Sequence, residues 1–225
     1  MELLQQYWLD GLALAFFLAS WAAYTHYADQ PGQGNLLAAT SRYRLDWMRE
    51  MLKREQRTMD AIMIGNLSRS ITFFANTTIF ILLGLMTMLG YHEKASAIIG
   101  AIPFAEQGNG FLWETKIFLL ILIFIYSFFK YTWSMRQYNY AGIFVAAAPS
   151  AHERVSEHEL IAEKGAYLVA NAARHFNNGL RAYYFGLAAL GWFIHPLVFM
   201  LATAWVVHVT HRREYRSATL NNLNR

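Results

Sequence analysis

The residues best suited to chemistry in this sequence are cations placed beside long apolar runs. Arg69 precedes one run, Lys130 ends another and Arg181 precedes a third. Guanidinium and ammonium groups hold phosphate oxygens by charge-assisted hydrogen bonds, so the pattern predicts a site for an anion or a lipid phosphate. The predicted anion-site residues are Arg69, Lys130, Arg136, Arg174, Arg181 and Asn76. The competing interpretation is that the cations anchor helix ends by extending to the membrane surface.

Two stripes of polar residues accompany these cations at helical spacing. The first contains Asn66, Arg69, Thr72 and Asn76, and the second contains Ser127, Lys130, Ser134 and Gln137. Polar groups are costly in contact with lipid unless they are paired. We therefore expect both stripes to face other helices or a water-filled cavity.

A second group, His152, Glu159 and Glu163, is a candidate for a metal site. These residues share one face at helical spacing, as ligands of a hard or borderline metal would. The segment contains neither a Glu-x-x-His pair nor a His-Glu-x-x-His motif, and acidic residues near a helix start are also favoured by the helix dipole. We therefore predict no metal site and no cofactor. The chain has no cysteine, which excludes thiolate sites and disulfides.

The composition indicates that lipid is the solvent of these elements. The 225 residues are 56% hydrophobic and only 15% charged, which is more apolar than an ordinary soluble domain. The net charge is +4, and the cations lie beside apolar runs. Anionic lipid head groups are therefore the expected partner, and nucleic acid is not.

Apolar runs long enough to cross a bilayer occur four times. Crossing takes about 20 apolar residues in a helix. The predicted spans are 7–27, 71–89, 117–133 and 182–209. The sequence thus predicts an all-α fold with about four transmembrane helices, organised as a single membrane domain over residues 1–225.

The fourth apolar run admits two interpretations because His195 and Pro196 fall in its middle. Proline removes a backbone donor and kinks or breaks a helix. The run is either one long, tilted, kinked span or two half-helices that enter and leave on the same side of the membrane. The basic tail that includes Arg212 and Arg213 favours the second arrangement, because a fourth full crossing would place the tail outside.

Basic residues also predict the orientation. They are concentrated between the first two spans and after the third, whereas the connection near residues 90–113 contains only Lys94. Cytoplasmic loops carry the excess of Lys and Arg, so we expect a multi-pass protein of the cell (inner) membrane with its basic segments in the cytoplasm.

Two cytoplasmic helical segments are predicted, over residues 36–65 and 150–178. In the first, apolar residues recur at helical spacing from Leu45 to Ile62, and Gly65 is too weak a breaker to prevent continuation into the second span. The second is predicted to begin at a capping box formed by Ser150 and Glu153. We expect it to end at 177–179, where Asn-Asn-Gly is typical of a helix terminus.

Small residues recur every fourth position in the first span, at Gly11, Ala15, Ala19 and Ala23. This spacing lets helices approach closely in lipid. The contact could lie within one copy or between copies, and we expect a homo-oligomer.

Three stretches together resemble an uncharacterised membrane family, domain of unknown function 599. They are residues 69–85, with Asn76 in a run that ends Ile-Leu-Leu-Gly-Leu, then 128–139, Phe-Phe-Lys-Tyr-Thr-Trp-Ser-Met-Arg-Gln-Tyr-Asn, and 176–185, Phe-Asn-Asn-Gly-Leu-Arg-Ala-Tyr-Tyr-Phe. The similarity extends from about residue 10 to 210. The resemblance implies a multi-span helical protein and assigns no catalytic residue or ligand.

Three functional classes remain at this stage. The first is a non-enzymatic, oligomeric structural or accessory membrane protein. The second is a channel or carrier for a small anion or solute that uses the cationic site. The third is a metal-dependent membrane enzyme, but no catalytic motif supports enzyme activity.

Overall fold

A computed structural model describes residues 7–30, 34–90, 110–153 and 157–223. These residues are 89% helical and contain no strand. They form seven α-helices and one 3₁₀ helix. The α-helices are α1 (Trp8–Asp29), α2 (Leu36–Leu52), α3 (Thr58–Leu89), α4 (Gly110–Ala147), α5 (His158–Ala189), α6 (Pro196–Tyr215) and α7 (Ala218–Leu223), and the 3₁₀ helix (Leu190–Phe193) lies between α5 and α6. The predicted all-α fold is confirmed.

Two of these helices, α3 and α4, are long and apolar enough to cross a membrane. Only 17% of the apolar window of α3 is buried within the chain, compared with 50% for α4. Most of α3 therefore presents apolar side chains outward, as a lipid-facing helix does.

The first predicted cytoplasmic segment, 36–65, is two helices and not one. Asn35 caps α2, since its Oδ1 accepts a hydrogen bond from the Ala38 amide at 2.9 Å. The helix ends at Leu52, where the Lys53 and Arg54 amides bond to the carbonyls of Glu50 and Met51 at 3.2 and 3.1 Å. The prediction of a continuous stripe from Leu45 to Ile62 is therefore wrong. The predicted continuation through Gly65 is confirmed, because α3 runs from Thr58 to Leu89.

The second predicted cytoplasmic segment, 150–178, is wrong at both ends. Residues 150–153 form a turn in which the Glu153 amide bonds to the Ser150 carbonyl at 3.1 Å, and α5 begins at His158. The helix then passes through 177–179 and continues to Ala189. Gly179 is needed there for close packing, because a Cβ at this position would lie 2.5 Å from Cε1 of the buried Tyr131.

The chain divides into two units, each with its own core. Unit 1 comprises residues 1–30, 78–127 and 180–213, and its core contains Phe17, Phe185, Trp192 and Phe199. The Trp192 and Phe199 rings stack with centroids 5.1 Å apart. This core joins α1 to the segments on both sides of the 3₁₀ helix.

Unit 2 comprises residues 31–77, 128–179 and 214–225. Phe74, Tyr131 and Phe176 form an aromatic triad in it, with ring centroids 5.6 to 5.7 Å apart. This triad joins α3, α4 and α5. Most of the Lys and Arg residues of the chain belong to this unit.

Candidate functional site

The predicted break at His195 and Pro196 is a sharp turn between two helices. The chain leaves α5 through the 3₁₀ helix, and Pro196 is the first residue of α6, a position where its missing N–H costs nothing. The Leu197 amide donates to Nδ1 of His195 at 3.1 Å, and the Phe199 amide donates to the His195 carbonyl at 3.1 Å. His195 therefore supplies two of the acceptors at the start of α6.

Close backbone contact follows directly from this turn. A Cβ on Gly191 would lie 3.3 Å from the backbone of Val198 and Phe199. At the other end of the hairpin, Arg213 donates a hydrogen bond to the Tyr184 hydroxyl at 3.2 Å. The end of α5 and the whole of α6 thus run antiparallel, so the run 182–209 is a helical hairpin and not one long helix. Of the two arrangements that the sequence left open, one long span is excluded because the chain folds back, and entry and exit of the two arms on the same side of the membrane stays a prediction.

Two buried ionisable side chains, one acidic and one basic, contact Trp192 near this turn. The Trp192 Nε1 donates to Oδ1 of Asp10 at 2.6 Å, and Lys116 Nζ lies 5.5 Å from the Trp192 ring centroid. Asp10 and Lys116 are 6% and 5% exposed. Charges buried in this way need such contacts, because leaving them unpaired is expensive. Nothing in the sequence linked Asp10 with Lys116, because they are about a hundred positions apart.

Arg181, one of the predicted anion-site residues, is already engaged within unit 1. It is 2% exposed, its Nη1 donates to Oδ1 of Asp29 at 2.8 Å, and its guanidinium lies 5.8 Å from the Tyr24 ring centroid. A carboxylate therefore neutralises the charge that an anion would need. This contact favours the alternative interpretation of Arg181 as a structural residue.

The other five predicted anion-site residues belong to unit 2. Arg69 and Asn76 are exposed on α3, and Arg69 donates to Oδ1 of Asn66 at 3.3 Å. The prediction that this stripe faces inward is wrong for Asn66, Arg69 and Asn76 within the chain. Thr72, its fourth member, is half-buried and donates to Sδ of Met135 on α4 at 3.5 Å. The inward face of α3 carries Asp60, Ile64, Ile71, Ala75 and Thr78 instead.

The remaining three cations have separate surroundings. Lys130 is half-buried, and Arg174 is exposed. Arg136 is exposed, donates to the Tyr140 hydroxyl at 2.6 Å and lies over the Trp133 ring. The hydrogen bond and the cation–π contact hold Arg136 against aromatic residues of its own helix. The six-residue anion site stays a prediction.

The second polar stripe does face inward. Ser127, Ser134 and Gln137 are buried, whereas Lys130 is only half-buried. The Ser134 hydroxyl donates to the Ala172 carbonyl at 2.6 Å and so links α4 to α5. This stripe holds helices together.

The metal candidates are paired with charged residues of α2 and of the turn that follows it. Glu159 accepts from Nε of Arg49 with both carboxylate oxygens at 3.1 Å, and His152 pairs with Glu55. The guanidinium contact holds the pKa of Glu159 below its ordinary value. Glu163 is exposed. Within the described ranges, no group of three or more His, Asp or Glu side chains is arranged to hold a metal ion.

Two important residues of unit 2 gave no signal in the sequence. Asp60 is 1% exposed, and its Oδ1 accepts from Trp47 Nε1 at 2.7 Å and from Arg54 at 2.6 Å. Arg57 donates from Nη1 to the carbonyls of Val145 and Ala148 at 3.2 and 2.7 Å, and from Nη2 to the Pro149 carbonyl.

Arg57 therefore caps the end of α4, which leaves unsatisfied carbonyls and a partial negative charge. An alternating hydrophobic pattern that counts Arg54 and Arg57 as solvated surface cannot reveal these contacts. Only the position of Arg54 and Arg57 between two helix ends, close to Asp60 in the sequence, could have suggested that these cations bind internal partners.

The fold and these contacts define an all-helical protein with two apolar helices of membrane-spanning length and charged groups that are held by internal partners. The family model for the protein of unknown function DUF599 matches residues 12–219. The chain belongs to this family, as the resemblance implied. No curated protein matches the chain. No solved structure matches it either.

Proposed function

We propose that this protein is a multi-pass, oligomeric structural or accessory protein of the cell (inner) membrane, without enzyme activity. The observation that carries the proposal is that the buried charged groups act on neighbouring parts of the same chain. Arg181 binds Asp29, Asp60 accepts from Arg54, and Arg57 caps α4. Groups used in this way stabilise a scaffold.

In the proposed topology α1, α3 and α4 cross the bilayer, and the hairpin of α5 and α6 enters it from the cytoplasmic side. The contact between Arg213 and Tyr184 supports this topology, because it brings the tail back to the end of the hairpin that bears Arg181. Both basic positions then lie on the side that the positive-inside rule favours. The basic helices of unit 2 face the cytoplasm.

The absence of cysteine allows a direct topology test. Gln56→Cys, Gly90→Cys and Ala218→Cys each introduce one thiol at an exposed position, and Gly90 lies just beyond the predicted span 71–89. In intact cells, an impermeant maleimide should label Gly90→Cys only. In inverted vesicles, it should label Gln56→Cys and Ala218→Cys.

Labelling of Ala218→Cys from outside would contradict the hairpin topology but leave the membrane location intact. Extraction of the wild-type chain from membranes by alkaline carbonate would contradict the membrane location itself. Protein-dependent anion flux in liposomes would contradict the purely structural role.

An anion or lipid-phosphate site at Arg69 is the second candidate function. A shallow, open surface recess along α3 is lined by Asn66, Arg69, Ser70, Phe73 and Phe74. A guanidinium beside amide and hydroxyl groups can hold phosphate oxygens. A channel or carrier would require this site to communicate with a path for the solute.

The test of this second candidate compares Arg69→Gln with Arg42→Gln, which removes an exposed Arg from α2. Anionic lipid retained by the purified protein, and anion flux in liposomes, are measured for both variants. A selective loss in Arg69→Gln supports the site, and equal behaviour of the two variants refutes it.

A further inference from the structure

A groove between the two arms of the hairpin has the chemistry of a lipid. Its volume is about 170 Å³, and it is lined by Tyr184, Leu187, Trp205, Val206, Val209, Thr210 and Arg213. The lining residues of α6 extend from Trp205 to Arg213, which corresponds to about 12 Å along the helix axis. The groove is therefore narrow, elongated and open to the surface of unit 1.

The length of the groove is apolar. The Thr210 hydroxyl is directed to the Val206 carbonyl at 2.7 Å, so this hydroxyl bonds within its own helix. Leu187 and Trp205 are 60% and 68% exposed at the rim. In a membrane, apolar side chains exposed in this way contact acyl chains.

One end of the groove is cationic. Arg213 donates to the Tyr184 hydroxyl at 3.2 Å, and its guanidinium lies 5.8 Å from the Tyr184 ring centroid. This contact fixes the guanidinium at the mouth of the groove while leaving further N–H donors of the group for a ligand. The neighbouring Arg212 lies at the same end of α6 but does not line the groove.

We propose that this groove binds an anionic phospholipid, with one acyl chain along Leu187, Trp205 and Val209 and the phosphate at Arg213. The occupant follows from charge complementarity: an apolar chain that ends in an anion matches an apolar groove that ends in a cation. The inference rests on the proposed membrane location of unit 1. It concerns a different residue set from the recess at Arg69.

The test uses the full chain purified in detergent and native mass spectrometry with added lipid. Phosphatidylglycerol and phosphatidylcholine with identical acyl chains are compared, together with glycerol 3-phosphate, which has no acyl chain. We expect phosphatidylglycerol to bind at least about tenfold more tightly than either of the others, as a charge-assisted hydrogen bond combined with apolar burial requires.

Three variants locate the site. Arg213→Gln should weaken phosphatidylglycerol binding about tenfold, whereas Arg212→Gln, with the same loss of charge on a residue that does not line the groove, should change it less than about twofold. Leu187→Trp fills the acyl path at an exposed position and should weaken binding of the long-chain lipid without touching the cation. Thermal unfolding of each variant verifies that it is folded.

Equal losses in Arg213→Gln and Arg212→Gln would overturn the proposal in favour of nonspecific attraction. Equal binding of glycerol 3-phosphate would overturn the acyl-chain assignment. A change of oligomeric state in Leu187→Trp, with unchanged lipid binding, would show that a second copy of the chain covers the groove. None of these results alters the labelling pattern that tests the topology, so failure of the lipid groove is distinguishable from failure of the proposed function.

Discussion

At the residue scale, Arg57 has the clearest structural task. Its guanidinium donates to the carbonyl of Val145 in the last turn of α4 and to the carbonyls of Ala148 and Pro149, which directly follow the helix. We expect Arg57→Gln to lower the free energy of unfolding by about 1–3 kcal/mol, because these three acceptors lose a charged donor. Unfolding of the purified protein in a denaturing detergent series measures the change.

Arg42→Gln is the matched control for this prediction. Arg42 is exposed on α2, so the same substitution should change stability by less than about 0.5 kcal/mol. Arg57→Lys should recover part of the loss, since an ammonium group retains the charge but not the forked geometry. Equal stability of Arg57→Gln and Arg42→Gln would show that the cap contributes nothing.

The pairing of Arg49 with Glu159 makes a prediction about pH. Hydrogen bonds from Arg49 hold the pKa of Glu159 below the ordinary value of 4.5. The stabilisation from this pair is therefore complete above pH 4.5 and is lost as the pH falls through the lowered pKa. Both side chains are exposed, so its contribution to folding is small.

Carboxylate NMR titration of selectively labelled Glu tests this assignment. In the wild type the Glu159 midpoint should lie below 4.5, and in Arg49→Gln it should return towards 4.5. Lys53→Gln is the control, because Lys53 pairs with Glu50 and should change the Glu50 midpoint instead. An unaltered Glu159 midpoint in Arg49→Gln would count against the pairing in solution.

At the scale of elements, Gly179 determines how closely α5 approaches α4. A Cβ there would lie 2.5 Å from Tyr131 Cε1, and the Tyr131 ring is fully buried. Gly179→Ala should therefore destabilise the protein by about 1–3 kcal/mol through overpacking. Gly84→Ala is the control, since no atom lies within 4 Å of its added Cβ and alanine is the better helix former by about 1 kcal/mol. Equal unfolding midpoints for the two variants would contradict close packing at Gly179.

The same glycine shows what could be predicted from the sequence. Asn-Asn-Gly is typical of a helix end, but a glycine inside a helix can equally serve to make room for a neighbouring aromatic ring. The sequence is the same in both cases, and only the fold distinguishes a helix end from close packing. The break at Pro196 was predictable because a missing N–H is a local property. The end of α2 was not, because no proline or glycine marks it in the sequence, and the contacts that follow it join Arg54 to Asp60 and Arg57 to the residue after α4. The helices α3 and α4 were predictable for a similar reason, because a long apolar run is visible in a continuous stretch of the sequence.

In the candidate site, too, local features could be predicted from the sequence and contacts between distant residues could not. The sequence identified the cations, because charge beside an apolar run is visible in one dimension. Their partners were not visible, since Asp29 lies 152 positions from Arg181 and Asp10 lies 182 positions from Trp192. Pairing between distant positions decides whether a cation is available to a ligand. This is why the contact with Asp29 favours a structural role for Arg181, whereas Arg213 is the cation of the groove that we propose.

At the scale of the whole molecule, the proposed oligomer depends on surfaces that the single chain leaves open. The small residues of α1, from Gly11 to Ala23 at every fourth position, are all exposed. They are therefore not used for helix packing within the described part of one chain. Small residues at this spacing allow a second helix to approach closely in lipid, which favours contact between copies through α1.

Disulfide crosslinking in native membranes tests this contact, because the wild-type chain has no cysteine. Ala19→Cys lies in the middle of the stripe and should form a covalent dimer under mild oxidation, as the two backbones would approach within disulfide reach. Leu18→Cys is the control: it is also exposed, but it points about 100° away around the helix and should crosslink much less. Equal crosslinking of both variants would indicate random collision in the membrane. Absence of a covalent dimer in both variants would contradict contact between copies through α1, while the hairpin and its lipid groove would stand unchanged.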